Sequence, residues 1–433
     1  MIVHRGNTES AAVEKPARRQ PEGASARISA RLANWGTGRI AVIYALSAAG
    51  CCLMAATSRA GFTDLHVYRL GGEALIHGTN LYGFRYFGLP FTYPPFAAML
   101  FAPVAVLPWT LAAALLTLAS ALTLPVMLYL ALRLPPLPAW LSSGDAWRLA
   151  LVTGAAAIWL EPVRTTLGYG QVDLFIGAAV LYDLTRPDRS RYKGVAIGLA
   201  AAFKLTPAIF IVYLIITRRY RAAMTAAATF AFTIIAGFAV VPGGSAHFWD
   251  MTFLNPQRVS PVQNSENQSL LGAISRTLHA AHVLPLWLAL AAVVAITGLA
   301  LAAHAQRWGN EALGFSLCAT TGLLVSPISW THHWVIAVPA LLLAALSLYR
   351  DQTRSWERRV VGAAALAVVA VIGWARLARD NQASNWLHLT ARGIVYNEIY
   401  VLAGLAALGL AAYPILTARF KSRRSGLTGT NLR

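Results

Sequence analysis

The chain has 433 residues, 57% of them hydrophobic and only 12% charged, with a mean hydropathy of +0.54. That composition lies outside the range of soluble globular domains and reads as a multi-pass membrane protein. Thirty-six bases against seventeen acids give a net charge of +19. The bases fall in short runs between apolar stretches, where positive charge orients loops in a bilayer, so the high charge implies no nucleic-acid partner.

Residues 1–39 carry seven bases and three acids among Pro, Ala and Ser, and read as a disordered cytoplasmic tail. A polytopic membrane domain follows over 40–416, closed by a second basic cytoplasmic tail at 417–433. The first span runs from about Ile40 to Ser58, close to the ~20 residues that cross a bilayer core. Its exit carries Gly61-Phe62-Thr63-Asp64 to the far side. The stretch 94–133 is ambiguous between one and two segments. Apolar stretches near 147–160, 172–184, 222–241, 286–303, 312–326, 334–349, 360–375 and 398–416 read as helices. Residues 194–217 lie between two basic loops and are best read as two half-helices hinged at Lys204-Leu205-Thr206-Pro207, because Pro207 cannot continue a helix normally.

Basic loops at 183–193, 218–221 and 350–359, with Arg307 and the two tails, hold 24 of the 36 bases and mark the cytoplasmic side. The expected fold class is an all-α integral membrane bundle with external loop helices. About ten to thirteen membrane segments, even in number, place both termini in the cytoplasm. The stretches 59–93, 161–171, 242–285 and 376–397, with the turn at 327–333, then fall outside. Cys51, Cys52 and Cys318 all lie within apolar segments, so neither a disulfide framework nor a thiolate zinc site is expected.

The polar residues that threading does not explain gather on that external side. Asp64 stands just past the first span, in a stretch rich in rings (Tyr68, Tyr82, Phe84, Tyr86, Phe87, Phe91, Tyr93) with His66 among them. Aromatic faces beside a carboxylate suit a sugar; an interfacial aromatic belt is the competing reading. Gly168-Tyr169-Gly170-Gln171-Val172-Asp173 marks a turn where the backbone can approach a ligand closely. Lys204 at membrane depth costs about 2.5–3.5 kcal/mol and calls for a partner, and its compact ammonium suits a lipid-linked phosphate. Asn264-Ser265-Glu266-Asn267-Gln268-Ser269 offers polar side chains to a hydroxyl-rich ligand. Ser326-Pro327-Ile328-Ser329-Trp330-Thr331-His332-His333-Trp334 brings two imidazoles to the mouth of an apolar segment. Adjacent histidines on an α-helix point about 100° apart and do not converge on one metal, so contact with a phosphate or a sugar hydroxyl is the expected use.

Asp64, Tyr93-Pro94-Pro95, Gly170-Gln171, Lys204 before Pro207, Asn267-Gln268-Ser269, and Ser326-Pro327 followed by His332-His333 form an ordered string over about residues 40–416. In this the chain resembles the actinobacterial polyprenol-phosphate-mannose-dependent α-1,2-mannosyltransferases, particularly those that elongate phosphatidylinositol mannosides. The resemblance implies a GT-C glycosyltransferase of the plasma membrane with its site on the outer face. It would take mannose from polyprenyl-phosphate-mannose to the 2-hydroxyl of a phosphatidylinositol mannoside, inverting at the anomeric carbon, with no cofactor and no metal. It also implies Asp64 as general base. The site reading then gives the donor phosphate to Lys204, His332 and His333, and the sugar and acceptor to His66, Tyr68, Tyr93, Gln171, Asn267, Gln268 and Trp330. The family often has Asn where this chain has Asp173.

A lipid or sugar transporter or flippase would also be polytopic and basic inside, but would be expected to show inverted repeats and polar groups across the midplane. Within the same scaffold, a transferase acting on lipomannan or carrying another lipid-phosphate sugar is the remaining alternative.

Overall fold

The computed structural model describes residues 31–58 except 33, 60–136, 141–252, 255, 261–278, 283–350 and 397–412. The expected span at 360–375, most of the stretch 376–397, and nearly all of both tails lie outside the described residues. The architecture is an all-helical membrane bundle. Among the described residues, four helices are long and apolar enough to cross a bilayer: Thr37–Ala56, Trp109–Leu132, Tyr220–Val240 and Leu284–Arg307. Shorter apolar helices fill the bundle between them: Pro95–Ala105, Glu311–Val325, and the segments 206–216, 331–346 and 399–412. The only strands among the described residues are Arg85–Tyr86 and Leu89–Pro90, an antiparallel hairpin. Phe87 and Gly88, at φ 46° and 83°, turn the hairpin in two residues, and the side chain of Phe87 is 85% exposed.

The first helix opens at Thr37, three residues before the expected boundary, because Gly36 at φ 66° starts the turn there. The ambiguous 94–133 resolves into Pro95–Ala105 and Trp109–Leu132. Each begins after a proline in the extended conformation, Pro94 or Pro108, whose fixed φ and missing N–H suit a helix entry. The stretch 161–171, expected as a loop, is mostly the helix Glu161–Tyr169.

The 194–217 segment does break in the middle. Val195–Phe203 ends at Lys204, whose backbone is extended (φ −144°, ψ 132°), and the chain resumes as a 3₁₀ turn over Thr206–Ala208 and the helix Ile209–Ile216. Small residues seat the first half. A Cβ at Gly194, which lies at φ 107°, would stand 2.1 Å from the carbonyl oxygen of Ala222, and one at Gly198 would stand 2.5 Å from that of Ala226. Val195–Phe203 therefore packs backbone to backbone on Tyr220–Val240, as small residues four apart allow in a membrane. Asp183 accepts hydrogen bonds from the Gly194 and Ile197 amides (2.8 and 3.0 Å) and caps the helix start. Lys204 is thus held at the open end of a tightly seated half-helix.

Candidate active site

Helix Thr63–Ile76 begins directly after the first span, with Asp64 in its first turn. Its start is pinned to the end of Glu161–Tyr169 by the Phe62 amide donating to the Gly168 carbonyl (3.0 Å). Gly170, at φ 70°, ends that second helix; the Gln171 amide turns back to the Thr166 carbonyl (2.8 Å), closing a Schellman-type cap. A Cβ at Gly170 would lie 2.8 Å from Leu65 Cβ, so glycine is needed both for the turn and for the close approach of the two helices. The turn delivers Gln171 beside Asp64.

A connected polar network results. Gln171 Nε2 donates to Asp64 Oδ2 at 2.6 Å. Gln171 Oε1 accepts from the Tyr68 hydroxyl at 2.5 Å and from the Tyr93 hydroxyl at 3.3 Å, and the two hydroxyls are 2.7 Å apart. Lys204 Nζ lies 5.7 Å from the centre of the Tyr93 ring and donates to Asp173 Oδ1 at 2.7 Å. Burial pushes the Asp64 carboxyl up to about 6, against the lowering effects of Gln171 and Lys204. The ordinary benefit of a helix N-terminus to a carboxylate does not outweigh that desolvation.

The chain after Ser326-Pro327, which lines the same cavity, forms a 3₁₀ helix over Thr331–Ala337. His332 is buried and His333 half-buried, their ring centres 4.7 Å apart and nearly perpendicular. Burial, with Lys204 next in effect, holds both imidazoles well below their ordinary range, so they are neutral. Neither ring nitrogen of His332, nor Nδ1 of His333, nor Asp173 Oδ2 has a hydrogen-bond partner. One ligand atom from each of Asp173, His332 and His333 lies within 4.8 Å of the others. The expectation that adjacent histidines diverge is therefore revised. The segment is 3₁₀, in which adjacent side chains point about 120° apart, yet one atom from each imidazole still comes within 4.8 Å of the Asp173 carboxylate.

Asp64, Tyr68, Tyr93, Gln171, Lys204, Trp330, His332 and His333 all line one cavity of about 320 Å³. Its volume is at the lower end of small-molecule sites. Thr63, Thr92, Tyr169, Thr206, Asn255, Asn264, Glu266 and Ser326 complete the polar part of its wall. Asp173 and Glu266 stood in stretches that the sequence marked as polar, but nothing in the chain identified Asp173 as the partner of Lys204, 31 positions away.

Three expected sugar-binding residues do not line this cavity. His66 is stacked between Trp109 and Tyr86, with ring centres 3.7 and 4.5 Å away. Asn267 and Gln268 are fully buried, and their amides are engaged by the chain itself. Asn267 donates to the Val262 and Pro327 carbonyls and accepts from the Ser329 amide. Gln268 donates to the Ser265 and Asn397 carbonyls and accepts from the Tyr400 amide. These bonds fix the loop that carries Trp330 and the histidines.

A family model described as glycosyltransferase family 87 matches residues 91–327. The chain is 36% identical over 385 residues to a polyprenol-phosphate-mannose-dependent α-(1-2)-phosphatidylinositol pentamannoside mannosyltransferase of Mycobacterium tuberculosis CDC 1551, covering 85% of each chain. It is 32% identical over 393 residues to a polyprenol-phosphate-mannose-dependent α-(1-2)-phosphatidylinositol mannoside mannosyltransferase of Mycobacterium tuberculosis H37Rv, covering 84% of this chain and 88% of the relative. A protein of the latter description from Mycolicibacterium smegmatis is 33% identical over 376 residues. No solved structure matches the chain.

Proposed function

Because the chain belongs to glycosyltransferase family 87, we propose that it moves mannose from polyprenyl-phosphate-mannose to the 2-hydroxyl of a mannosylated phosphatidylinositol glycolipid at the outer face of the plasma membrane. The observation that carries this reading is a single cavity lined by a half-buried carboxylate, an ammonium and two imidazoles. Both substrates are lipid-linked, and a site outside the four long spans, at the end where Thr37–Ala56 leaves the bilayer, lets their tails remain in the membrane.

Asp64 takes the proton from the acceptor hydroxyl as its oxygen attacks the anomeric carbon from the face opposite the phosphate. The bond from that carbon to the phosphate oxygen breaks, and the electron pair leaves with polyprenyl phosphate. A β-linked donor gives an α-linked product. An elevated carboxyl suits this role, since a base near the operating pH is both ionised and proton-accepting. Lys204, with His332 and His333 beside it, faces the charge that grows on the departing phosphate. Asp173 keeps the ammonium on that wall through the 2.7 Å ion pair. Tyr169, Trp330, Asn264 and Glu266 line the cavity where the sugars would lie, and the Gln171 amide holds Asp64 in place.

Incubation of the purified chain with labelled polyprenyl-phosphate-mannose and phosphatidylinositol mannosides tests the reading. The expected product carries one more α-1,2-linked mannose. Vesicle uptake or flipping of the donor without transfer would replace the enzyme with a transporter. A lipomannan product in place of a small glycolipid would keep the chemistry and change the acceptor.

A further inference from the structure

The hairpin beside the cavity carries a side chain that neither its backbone nor its own packing explains. Phe87 is the first of the two turn residues, at φ 46°, a conformation that a bulky residue rarely adopts and that Asn or Gly fills at lower cost. Its ring is 85% exposed, so the chain recovers nothing for that strain by burying it. The turn is firmly held: the strands pair Arg85 with Pro90 and Tyr86 with Leu89, and Arg85 Nη1 donates to the Gly88 carbonyl at 2.9 Å. A strained, fixed and outward-facing phenyl ring calls for something apolar outside the chain.

The neighbouring rings place this tip at the membrane. The Phe87 ring centre lies 4.7 Å from that of Tyr86, Tyr86 lies 4.5 Å from His66, and His66 lies 3.7 Å from Trp109. Trp109 opens the 24-residue helix Trp109–Leu132. That helix is about 36 Å long against a hydrocarbon core of about 30 Å, so its first residue stands at headgroup level, where tryptophan is favoured. A second apolar tip adjoins the same rings: Val106 is 71% exposed in the turn before Trp109, and Arg69 holds the carbonyls of Val104, Ala105 and Leu107 around it. From this turn the lipid-facing side of the helix continues through the exposed Leu111, Leu115, Leu118 and Leu122. We propose that Phe87, with Val106, is inserted into the bilayer surface at the cavity end of the bundle. The hairpin so anchored keeps its second strand, whose Leu89 and Pro90 line the cavity, at the level from which lipid-linked substrates enter. The lipid contact is independent of the proposed mannosyl transfer; the role in substrate entry rests on it.

The experiment places the full chain in phosphatidylcholine nanodiscs, with Phe87→Cys carrying a bimane label. The native chain treated with the same label, its Cys51, Cys52 and Cys318 buried or half-buried, gives the background. A spin label near the top of the lipid acyl chains should quench the tip more strongly than one near the chain end, and more strongly than iodide in the water. Quenching by iodide alone overturns the anchor. So does lipid quenching that appears only once polyprenyl-phosphate-mannose is added, because the ring would then meet the donor's chain and not the bilayer. Phe87→Asn supplies an Asn-Gly turn, so the melting temperature should hold or rise. Transfer from a long-chain donor in the bilayer should fall roughly tenfold through KM, the lower end of what burying one aromatic side chain contributes, while a short water-soluble donor is used within about twofold of the native rate. An equal loss with both donors, or no loss with either, overturns the entry role and leaves the quenching to decide the anchor. Absence of transfer by the native chain counts against the proposed function and does not touch the quenching result.

Discussion

Two polar regions adjoin at the cavity, one supporting the other, and they treat their side chains in opposite ways. In the staple formed by residues 262–269 and 326–330, each amide is engaged: Asn267 and Gln268 reach backbone groups of distant segments, and Gln268 Nε2 and Oε1 bind the start of the 397–412 segment. Arg276 extends the staple, donating from Nε and Nη2 to the two oxygens of Glu398 and from Nη1 to the Asn264 and Asn267 carbonyls. In the wall made by Asp173, Lys204, His332 and His333, several polar atoms are left without partners and face each other. Both regions are polar. What separates framework from chemistry is whether the polar groups are satisfied by the chain, since a buried network that is fully bonded rigidifies and has nothing to offer a ligand.

The sharpest way to break that distinction is to remove one group from each side. Asp64→Asn keeps the size and most hydrogen bonding of the side chain and loses only the base. Transfer should fall by roughly 10²–10⁴ at an unchanged melting temperature. Undiminished turnover in that variant would remove Asp64 from the reaction. Asn267→Ala should do the reverse. It leaves the Ser329 amide without its acceptor and the Val262 carbonyl without its donor, while Pro327 keeps only the Ser269 hydroxyl, costing about 1–3 kcal/mol of stability. The melting temperature should drop while the folded fraction keeps its rate within a few-fold; a full-stability variant with no activity would put Asn267 in the site after all.

Gln171 sits between the two classes, because its amide is engaged by the chain yet acts on the base. Asp64 works as a carboxylate, and its carboxyl is raised to about 6, so the rate should fall on the acid side of that value, about tenfold per pH unit. The Gln171 N–H stabilises the ionised form. Gln171→Leu should therefore move the acid limb to higher pH, by about one unit, without changing the plateau as strongly. An acid limb that stays in place, with transfer lost at all pH values, would mean that Gln171 contacts substrate.

Much of this arrangement was legible where a residue is chemically out of place. Pro207 after Lys204 signals a broken span, and the break is there. Asp64 after the first apolar stretch stands out for the same reason. What could not be read was pairing at a distance. Nothing local says that Lys204 takes Asp173, or that Asn267 and Gln268 turn inward to the chain rather than toward a ligand. The helix Glu161–Tyr169 was missed because its opening Glu-Pro and closing Gly170 resemble a loop, though a proline near a helix start and a glycine just past its end are ordinary helix punctuation. The 3₁₀ winding of Thr331–Ala337 and the approach of its two histidines to Asp173 leave no mark in composition. Span counting suffered similarly, since four long helices stand beside several too short to be counted by length.

His66 provides the smallest and most pointed test. It is two residues from the base, in the same aromatic stretch, and would be assigned to the sugar by proximity alone. Its ring is instead held between Trp109 and Tyr86, and Arg69 lies with its guanidinium 5.9 Å from the Trp109 ring centre while donating to the Val104, Ala105 and Leu107 carbonyls. This stack joins helix Thr63–Ile76, the hairpin and the start of Trp109–Leu132, so it anchors the element that bears Asp64 without touching the cavity. Replacing His66 by Ala should cost about 0.5–1.5 kcal/mol of stability for the lost ring contacts. Transfer should change by less than about twofold, with the KM for both substrates unaltered, because nothing bound by Asp64 or Lys204 reaches it. A selective rise in acceptor KM at constant melting temperature would place the acceptor against this stack and widen the site beyond the cavity wall.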